Sequence, residues 1–318
     1  MITFLASPKP FKGFAKEIQY RAVRSWLAAG DDVEVILYGD SAGSDEAGSD
    51  LGVQVVKQIA CAPSGIPYFG SIVAHAAEHG KHDLQVYINC DILLDGIVSA
   101  LLGTSFPCFL LIGERIDLAE GVVLDMTRAD WRNRLKELIH AGQATLHGPT
   151  GIDYFVFRRG FWAGLPPIII GRGCYDNALL AHCFRERVPI IDATPRVLAL
   201  HQYHDYKHVQ GGLDTVFYGN ESEQNAKAAG GRRSATMISD ATYVLRPSGL
   251  EHQPCRGDRL RWLELKMRYE VDWPTTAMAL RLFWRGLYAV GITRVPQLSL
   301  AEVMDDLETA LCCNIDRR

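Results

Sequence analysis

The sequence predicts an α/β fold in which a mostly parallel β-sheet is flanked by helices and followed by a C-terminal helical extension. Short apolar runs alternate with amphipathic helical patterns over residues 1–112, which is typical of a parallel sheet covered on both faces. From residue 259 onward the pattern is helical, and Pro274 and Pro296 separate the helices. The chain has 318 residues, 48% hydrophobic and 22% charged, a composition of ordinary globular proteins.

The first elements indicate a strand–helix–strand unit. Met1–Ala6 is a predicted strand, residues 17–29 are a helix and Val33–Tyr38 is a second strand. A crossover this short predicts that the two strands are adjacent and parallel. Residues 41–50 are rich in Gly, Ser and acidic residues and are predicted to form a mobile surface loop.

The alternation continues along the chain. We predict strands at residues 53–56, 86–88, 106–112, 154–157, 189–192 and 197–200, and helices at residues 72–79, 95–102, 129–141 and 176–187.

Charge and cysteine usage exclude several classes of function. The net charge of −4 leaves no broad basic surface, so we expect no nucleic-acid partner. The eight cysteines are scattered without a CxxC pair, which predicts reduced thiols and a cytoplasmic protein. The chain enters a strand pattern at once, so no signal peptide is expected. Residues 96–113 carry no charge, but Gly103 and Pro107 interrupt them, which favours a helix, a turn and a buried strand over a membrane span.

One acidic residue directly follows a buried strand. The segment VYINCDILL places Asn89 and Asp91 after the strand that ends at Ile88, and open α/β sheets bind ligands at the carboxyl ends of their strands. A carboxylate there can hold a divalent cation that bridges two phosphates. The alternative is an Asp that caps the next turn or helix.

A histidine cluster follows a later strand. Residues 201–208 contain His201, His204 and His208 together with Asp205. Each imidazole would need a polar partner if it were buried, so packing explains the cluster poorly. It could supply a neutral ligand to a cation held by Asp91. The spacing matches no closed zinc site.

Two further segments combine glycines with an acid. Asp176 lies at a helix start in GRGCYDN, where it could be a general base; residue preference alone favours an N-cap or first-turn acid. In HGPTGID, the glycines would let backbone amides approach a ligand, whereas an ordinary loop would use Asp153 to bind local amides.

These motifs, in this order, resemble the GT-A type of nucleotide-diphosphosugar glycosyltransferase, in particular a bacterial group. The resemblance covers about residues 1–245 and is strongest between 145 and 212. In YINCDILL, Asn89 stands where the family's DxD motif has its first carboxylate. The segments that carry the resemblance are MITFLASPKPF, VILYGD, YINCDILL, LHGPTGIDYFVFRRGFW, GRGCYDNALL and VPIIDATPRVLALHQYHDYKHVQGG.

The resemblance implies a Rossmann-like GT-A catalytic domain at residues 1–245, which binds the nucleotide-sugar, and a helical extension at residues 246–318. It implies that Asp91 and His201 are ligands of Mn²⁺ or Mg²⁺ and that Asp176 is the catalytic base of an inverting enzyme. The donor would contact Ser7, Pro8, Lys9, Asp40, Asn89, Gly151, Asp153 and His204. Weaker candidates for the acceptor site are Arg115 and Asp117 in LIGERIDL.

The implied activity is transfer of a hexosyl or related sugar from a UDP- or GDP-sugar to a hydroxyl of a saccharide or other acceptor, as in polysaccharide biosynthesis. A sugar nucleotidyltransferase is the first alternative, but its Gly-rich basic loop is absent from Ser-Pro-Lys-Pro, where only Lys9 and Lys12 are basic. Asn89 permits a second alternative, a non-catalytic nucleotide-sugar-binding or glycan-binding protein.

Two polar or aromatic regions remain. Residues 202–236 are expected to close over the donor as a lid. The C-terminal helices carry Trp262, Trp273 and Trp284, for which packing against the sheet domain is favoured. The alternatives are an acceptor platform, a homodimer surface and a peripheral membrane contact, the last of which would make the protein membrane-associated.

Overall fold

A computed structural model describes residues 1–104, 106–204, 212–232, 235–292 and 297–306. Within these ranges the strands are β1 (Ile2–Ala6), β2 (Val33–Tyr38), β3 (Gln54–Val56), β4 (Leu84–Ile88), β5 (Ile92–Asp95), β6 (Leu110–Ile112), β7 (Arg115–Leu118), β8 (Ala144–Leu146), β9 (Tyr154–Arg158), β10 (Ile190–Asp192), β11 (Leu198–His201), β12 (Tyr243–Arg246) and β13 (Gly249–His252). The α-helices with both ends in these ranges are α1 (Gly13–Leu27), α2 (Ser44–Leu51), α3 (Phe69–His79), α4 (Ile97–Leu101), α5 (Trp131–His140), α6 (Tyr175–Arg185), α7 (Gly212–Tyr218), α8 (Asn220–Ala228), α9 (Arg259–Tyr269) and α10 (Pro274–Ala289).

The main sheet has the strand order β13-β12-β10-β6-β9-β4-β1-β2-β3. Strand β1 pairs in parallel with β2 and with β4, and β10 pairs in parallel with β6 and β12. Strand β9 is antiparallel to both neighbours, and β13 returns antiparallel to β12. The predicted α/β class, a mostly parallel sheet flanked by helices, is confirmed.

Helices cover both faces of this sheet, which explains why its central strands are mostly apolar. On one face Trp26 of α1 stacks on Phe4 with ring centroids 5.8 Å apart, and its indole donates to the carbonyl of Ile92. On the other face Phe69 of α3 and Leu179 of α6 are fully buried in a second apolar cluster. Both clusters lie under the ends of β1 and β4, so they hold those strand ends in fixed positions.

A smaller sheet lies beside the main one, in the order β5-β11-β7-β8. Strand β11 pairs antiparallel with β5 and parallel with β7, so His201 lies opposite both Ile92 and Asp117. Strand β5 was not predicted as a strand. The pairing of β5 with β11 places His201 next to Ile92, the residue that follows Asp91. His201 and Asp91 are 110 positions apart in the sequence.

The prediction of a surface loop at residues 41–50 is wrong, because most of it is helix α2. Gly43 adopts a left-handed conformation with φ +85° that turns the chain into the helix, and Asp45 and Glu46 lie in the first turn, where the helix dipole favours acids. Ala47 is buried against the sheet face that also holds Phe11. Two alanines in a polar segment were too weak a periodic signal to reveal the helix.

The sheet continues past residue 245, because the hairpin of β12 and β13 spans residues 243–252. Helix α9 packs against α6, where Tyr269 stacks on Phe184 with ring centroids 5.5 Å apart. This is the packing that the sequence favours for the C-terminal helices. The division into domains at residue 245 stays a prediction. Among the described helices, none combines the length and the apolar composition needed to cross a bilayer.

The three tryptophans of this region differ in exposure. Trp284 is buried and its indole donates to Asp258, Trp262 is half-buried and Trp273 is exposed. Helix α10 also leaves Leu282, Phe283 and Tyr288 exposed.

Candidate active site

A cleft of about 810 Å³ opens at the carboxyl ends of β1, β4 and β11. This is the edge at which α/β sheets bind ligands. The predicted site residues that line it are Ser7, Pro8, Lys9, Asn89, Asp91, Arg115, Gly151, Asp153, Asp176, His201 and His204. Asp40 and Asp117 do not line the cleft.

Asp91, His201 and His204 form a group that can bind a metal ion, and one donor atom from each lies within 4.8 Å of the others. Nε2 of His204 lies 2.9 Å from Oδ2 of Asp91. The antiparallel ladder between β5 and β11 explains the convergence, since Asp91 precedes β5 and His201 ends β11. The predicted pair of ligands is therefore brought together, and His204 joins it from three residues further along.

The Asp91 carboxylate is built to be an anion. Burial alone would raise its pKa, but Lys9 and the two histidines hold that pKa well below its usual range. Its other oxygen, Oδ1, is buried and has no hydrogen-bond partner among the described residues. A buried carboxylate oxygen without a donor carries a large desolvation cost. A divalent cation would remove that cost, and one carboxylate with two imidazoles is a donor set that suits Mn²⁺ or a similar metal.

Asp117 lies directly behind His201. Its Oδ1 is 3.3 Å from Nδ1 of His201 and its Oδ2 is 2.6 Å from Nδ1 of His147. Burial opposes its charge, yet these histidines and Arg115 hold the pKa of Asp117 well below its usual range. A carboxylate on one imidazole nitrogen orients the ring and leaves the other nitrogen as a metal ligand. The geometry therefore places Asp117 beside a candidate metal ligand, not on the surface of the cleft.

Arg115 continues this chain of contacts to Asp153. Its Nε donates to Asp117 at 2.8 Å and its Nη1 donates to Oδ2 of Asp153 at 2.7 Å. The side chain of Arg115 is largely buried, and the two carboxylates more than offset the effect of that burial, so its pKa is raised. The guanidinium of Arg115 therefore links Asp117 to Asp153 and holds these two acids at a fixed distance from each other.

Asn89 extends the network toward Asp176. Its amide Nδ2 donates to Oδ1 of Asp153 at 2.6 Å, and the hydroxyl of Tyr175 donates to its Oδ1 at 3.5 Å. A carboxylate at position 89 would face Asp153 with a like charge and could not donate. The described contacts therefore favour an amide donor over a carboxylate at position 89.

Asp176 lies in the first turn of α6, half-buried in the cleft wall. Burial and the nearby charge of Asp153 raise its pKa to about 6, although the backbone amide of Asn177 donates to its Oδ1 and opposes the shift. Cys174, before the helix, has φ +65°, which turns the chain sharply into α6. A carboxyl group whose pKa approaches neutrality in a polar cleft has the properties of a general base.

The loop after β1 forms the opposite wall. Gln19, which is buried, accepts from the backbone amide of Lys9 at 2.7 Å and donates to its carbonyl at 3.1 Å. The hydroxyl of Ser41 donates to the carbonyl of Pro8 at 2.6 Å. Asp40, by contrast, is exposed and pairs with Lys57 at 3.3 Å, because Gly39 with φ +109° directs the chain outward after β2. Ser41 lines the cleft in place of Asp40.

Two glycines mark close approaches in the cleft wall. A Cβ on Gly151 would lie 2.6 Å from the ring of His147, and a Cβ on Gly173 would lie 3.0 Å from the carbonyl of Phe217. Gly151 allows the loop that carries Asp153 to pack against His147. Gly173 allows α7 and α8 to pack closely against the loop that leads to Asp176. Val216 and Phe217 line the cleft, so part of the region predicted as a lid does form its wall.

Several lining residues were not predicted as part of the site. His147 and Tyr175 stand next to predicted residues in their motifs, and their polar side chains could have marked them. Gln19 is a buried polar residue on α1 and gave no sequence signal. His208 and Asp205, which belong to the predicted histidine cluster, lie outside the described residues.

No protein-family model and no curated protein sequence matches the chain. Solved structures similar to it include the glucosyl-3-phosphoglycerate synthase of Mycobacterium tuberculosis in complex with Mn²⁺, UDP-glucose and phosphoglyceric acid. The TM-score is 0.41 at 15% identity, over 73% of this chain and 80% of that one. Another is the mannosyltransferase PcManGT of Pyrobaculum calidifontis in complex with GDP-Man and Mn²⁺. Its TM-score is 0.40 at 14% identity, over 63% of this chain and 56% of that one. Both likenesses are distant, so the function proposed below rests on this chain's own residues.

Proposed function

We propose that the protein is a GT-A type glycosyltransferase that moves a sugar from a nucleotide-diphosphosugar to an acceptor hydroxyl with inversion. One observation carries the proposal. A cation-binding group (Asp91, His201 and His204) and a carboxyl group with a raised pKa (Asp176) line the same polar cleft. The motifs by which the sequence resembles this family are the ones that supply these residues.

Asp91, His201 and His204 would hold Mn²⁺ or Mg²⁺. When bound, such a cation neutralises negative charge on a diphosphate. Asp117 contributes by fixing the ring of His201, and the Arg115–Asp153–Asn89 contacts keep the loop around Gly151 against the turn that carries Asp91. The donor sugar is proposed to lie near Asp153 and Gly151, and the nucleoside near Ser7, Pro8 and Ser41.

Asp176 is proposed to act on the acceptor. Its carboxylate takes the proton of the acceptor hydroxyl while the oxygen forms a bond to the anomeric carbon. The bond from that carbon to the diphosphate breaks, and the electron pair leaves with the nucleoside diphosphate. A base with a pKa near 6 is mostly ionised at neutral pH and still accepts a proton effectively, as general-base catalysis requires.

The remaining assignments follow from the same proposal. The donor is a UDP- or GDP-sugar, the acceptor is a saccharide or other hydroxyl compound, and the setting is polysaccharide synthesis in the cytoplasm. A sugar nucleotidyltransferase is disfavoured, because it would need a Gly-rich, basic loop to bind a triphosphate. The loop after β1 brings one basic side chain, Lys9, to the cleft. The retained base candidate Asp176 argues against a purely binding role.

The test compares the wild type with Asp176→Asn and with the matched control Asp40→Asn, an exposed acid outside the cleft. With UDP- and GDP-sugar panels, Mn²⁺ and a mixture of saccharide acceptors, we expect Asp176→Asn to lower kcat roughly 10²–10⁴-fold. Nucleotide binding in calorimetry should be retained, and Asp40→Asn should match the wild type.

Full activity of Asp176→Asn would remove this residue from the base role. Release of pyrophosphate from a nucleoside triphosphate and a sugar phosphate would support the nucleotidyltransferase instead. Nucleotide binding without turnover across the panels would support the non-catalytic alternative.

A further inference from the structure

The ammonium group of Lys9 occupies the space beside two of the three metal-binding side chains. Its Nζ lies 3.1 Å from Oδ2 of Asp91 and 3.0 Å from Nε2 of His204. These two atoms are themselves 2.9 Å apart, so the three groups form a compact triangle. A single positive charge is already close to the anion that a divalent cation would need.

The backbone of Lys9 is fixed, whereas its side chain is free to move into the cleft. Two hydrogen bonds from the buried Gln19 hold its amide and its carbonyl. The side chain is 31% exposed, against 10% for Asp91. A change of side-chain rotamer therefore suffices to move the ammonium away from Asp91 without moving the loop after β1.

We propose that Lys9 is an internal competitor of the divalent cation: the metal displaces its ammonium from Asp91 and His204, and the donor diphosphate then accepts it. The inference rests on the proposed function, because it assumes a metal and a diphosphate in this cleft. It adds a role for Lys9 that couples the two ligands to each other.

The coupling follows from charge. A dication held by Oδ2 of Asp91 and Nε2 of His204 would not share these atoms with an ammonium group at contact distance, because like charges a few ångströms apart repel strongly near a protein surface. Metal binding alone therefore separates Lys9 from its anion. A diphosphate supplies a new anion for the displaced ammonium, so each ligand favours the binding of the other, and linkage makes that effect reciprocal.

A second position for the metal gives a different expectation. Oδ1 of Asp91 is buried without a described partner, and a cation bound there with His201 would leave the Lys9–Asp91 pair intact. In that case removal of Lys9 would tighten metal binding only slightly, because the ammonium would not have to leave Asp91 before the cation binds. The two geometries are thus separated by the size of the gain in metal affinity.

The experiment measures Mn²⁺ binding by electron paramagnetic resonance, with and without UDP or GDP, in the full chain. We compare the wild type, Lys9→Met and the control Lys12→Met, which removes the same charge from an exposed position three residues away. Without nucleotide, Lys9→Met should bind Mn²⁺ at least about tenfold more tightly than the wild type, and Lys12→Met should not differ. The gain in Mn²⁺ affinity caused by the nucleotide should be smaller in Lys9→Met than in the wild type.

Each outcome has a distinct meaning. Unchanged, weaker or only slightly tighter Mn²⁺ binding in Lys9→Met, while the wild type binds Mn²⁺ with nucleotide, would overturn the role of Lys9 and leave the proposed function standing. Asp91→Asn serves as a control that should not bind Mn²⁺. If the wild type and Lys9→Met also failed to bind Mn²⁺, the metal-dependent function and the competition would both be contradicted. If the nucleotide increased Mn²⁺ affinity equally in the wild type and in Lys9→Met, the proposed contact of Lys9 with the diphosphate would be contradicted.

Discussion

Asp176 illustrates how burial can hold a carboxyl group at a raised pKa at a cost in stability. It lies at a helix N-terminus, which favours its charge, but burial and the charge of Asp153 act more strongly and raise its pKa from 3.8 to about 6. An acid whose pKa is higher in the folded state binds more protons when folded. The contribution of Asp176 to the free energy of unfolding therefore falls as the pH rises from about 4 to 6.

Replacement of the Asp176 carboxyl group should remove this pH-dependent decrease in the free energy of unfolding. Between pH 4 and pH 7, Asp176→Asn should lose less stability than the wild type, by on the order of 1–3 kcal/mol, because a shift of one pKa unit corresponds to about 1.4 kcal/mol. Urea unfolding at both pH values measures the difference, and Asp40→Asn serves as the exposed control. The same difference between pH values in Asp176→Asn and the wild type would contradict the raised pKa.

At the residue scale, the identity of the site was partly visible in the sequence. Asp91 and Asp176 could be selected because a carboxylate after a strand or at a helix start is easily recognised. Asp40 satisfied the same rule after β2, yet it faces solvent, because the rule does not include the turn at Gly39. Which acids converge depends on side-chain direction, and sequence spacing does not report that direction.

At the element scale, the close seat of α7 and α8 against the loop before α6 is a feature that can be tested. The amide of Gly173 donates to the carbonyl of Val216 at 2.8 Å, and an added Cβ would lie 2.5 Å from Oγ of Ser222. We expect Gly173→Ala to lower the free energy of unfolding by about 1–3 kcal/mol through overpacking. It should also weaken nucleotide-sugar binding, because Phe217 lines the cleft.

Gly70→Ala is the matched control, since this glycine lies in the first turn of α3 and an added Cβ would have no atom within 4 Å. Alanine should stabilise that helix by about 0.5–1 kcal/mol. Thermal unfolding and nucleotide calorimetry compare the two variants. Wild-type stability and binding in Gly173→Ala would show that the seat of α7 and α8 is not tight.

Elements with a strong periodic pattern were predicted well, and short elements supported by tertiary contacts were not. Strand β2 has the predicted bounds, because a run of β-branched and aromatic residues needs no further context. Strand β5 is recognisable only through its pairing with β11, and the hairpin of β12 and β13 only through its place at the sheet edge. The pairing that β5 supplies is the one that brings His201 to Asp91, so the convergence of the site was predicted by resemblance and not by periodicity.

At the scale of the whole molecule, a buried cluster of charges joins helix α9 to the segment that precedes strand β12. Arg261 of α9 donates to both oxygens of Asp240 at 2.8 and 2.6 Å, to the carbonyl of Ala235 at 3.1 Å and to Glu264. Arg268 donates to the other oxygen of Glu264 at 2.7 Å. The cluster contains residues from both sides of the predicted division at residue 245, so it links the two predicted parts.

We therefore expect α9 and the central sheet to unfold as one unit. Arg261→Met leaves the buried carboxylate of Asp240 without its guanidinium partner and removes one of the partners of Glu264, so it should destabilise the whole protein by about 3–5 kcal/mol. Arg285→Met, which removes an exposed charge from α10, should change stability by less than about 0.5 kcal/mol. In native-state hydrogen exchange, slowly exchanging amides of α9 and β4 should report the same free energy and fall together in Arg261→Met. Exchange of α9 at a clearly lower free energy than β4 would instead show that the chain divides near residue 245 into units of separate stability.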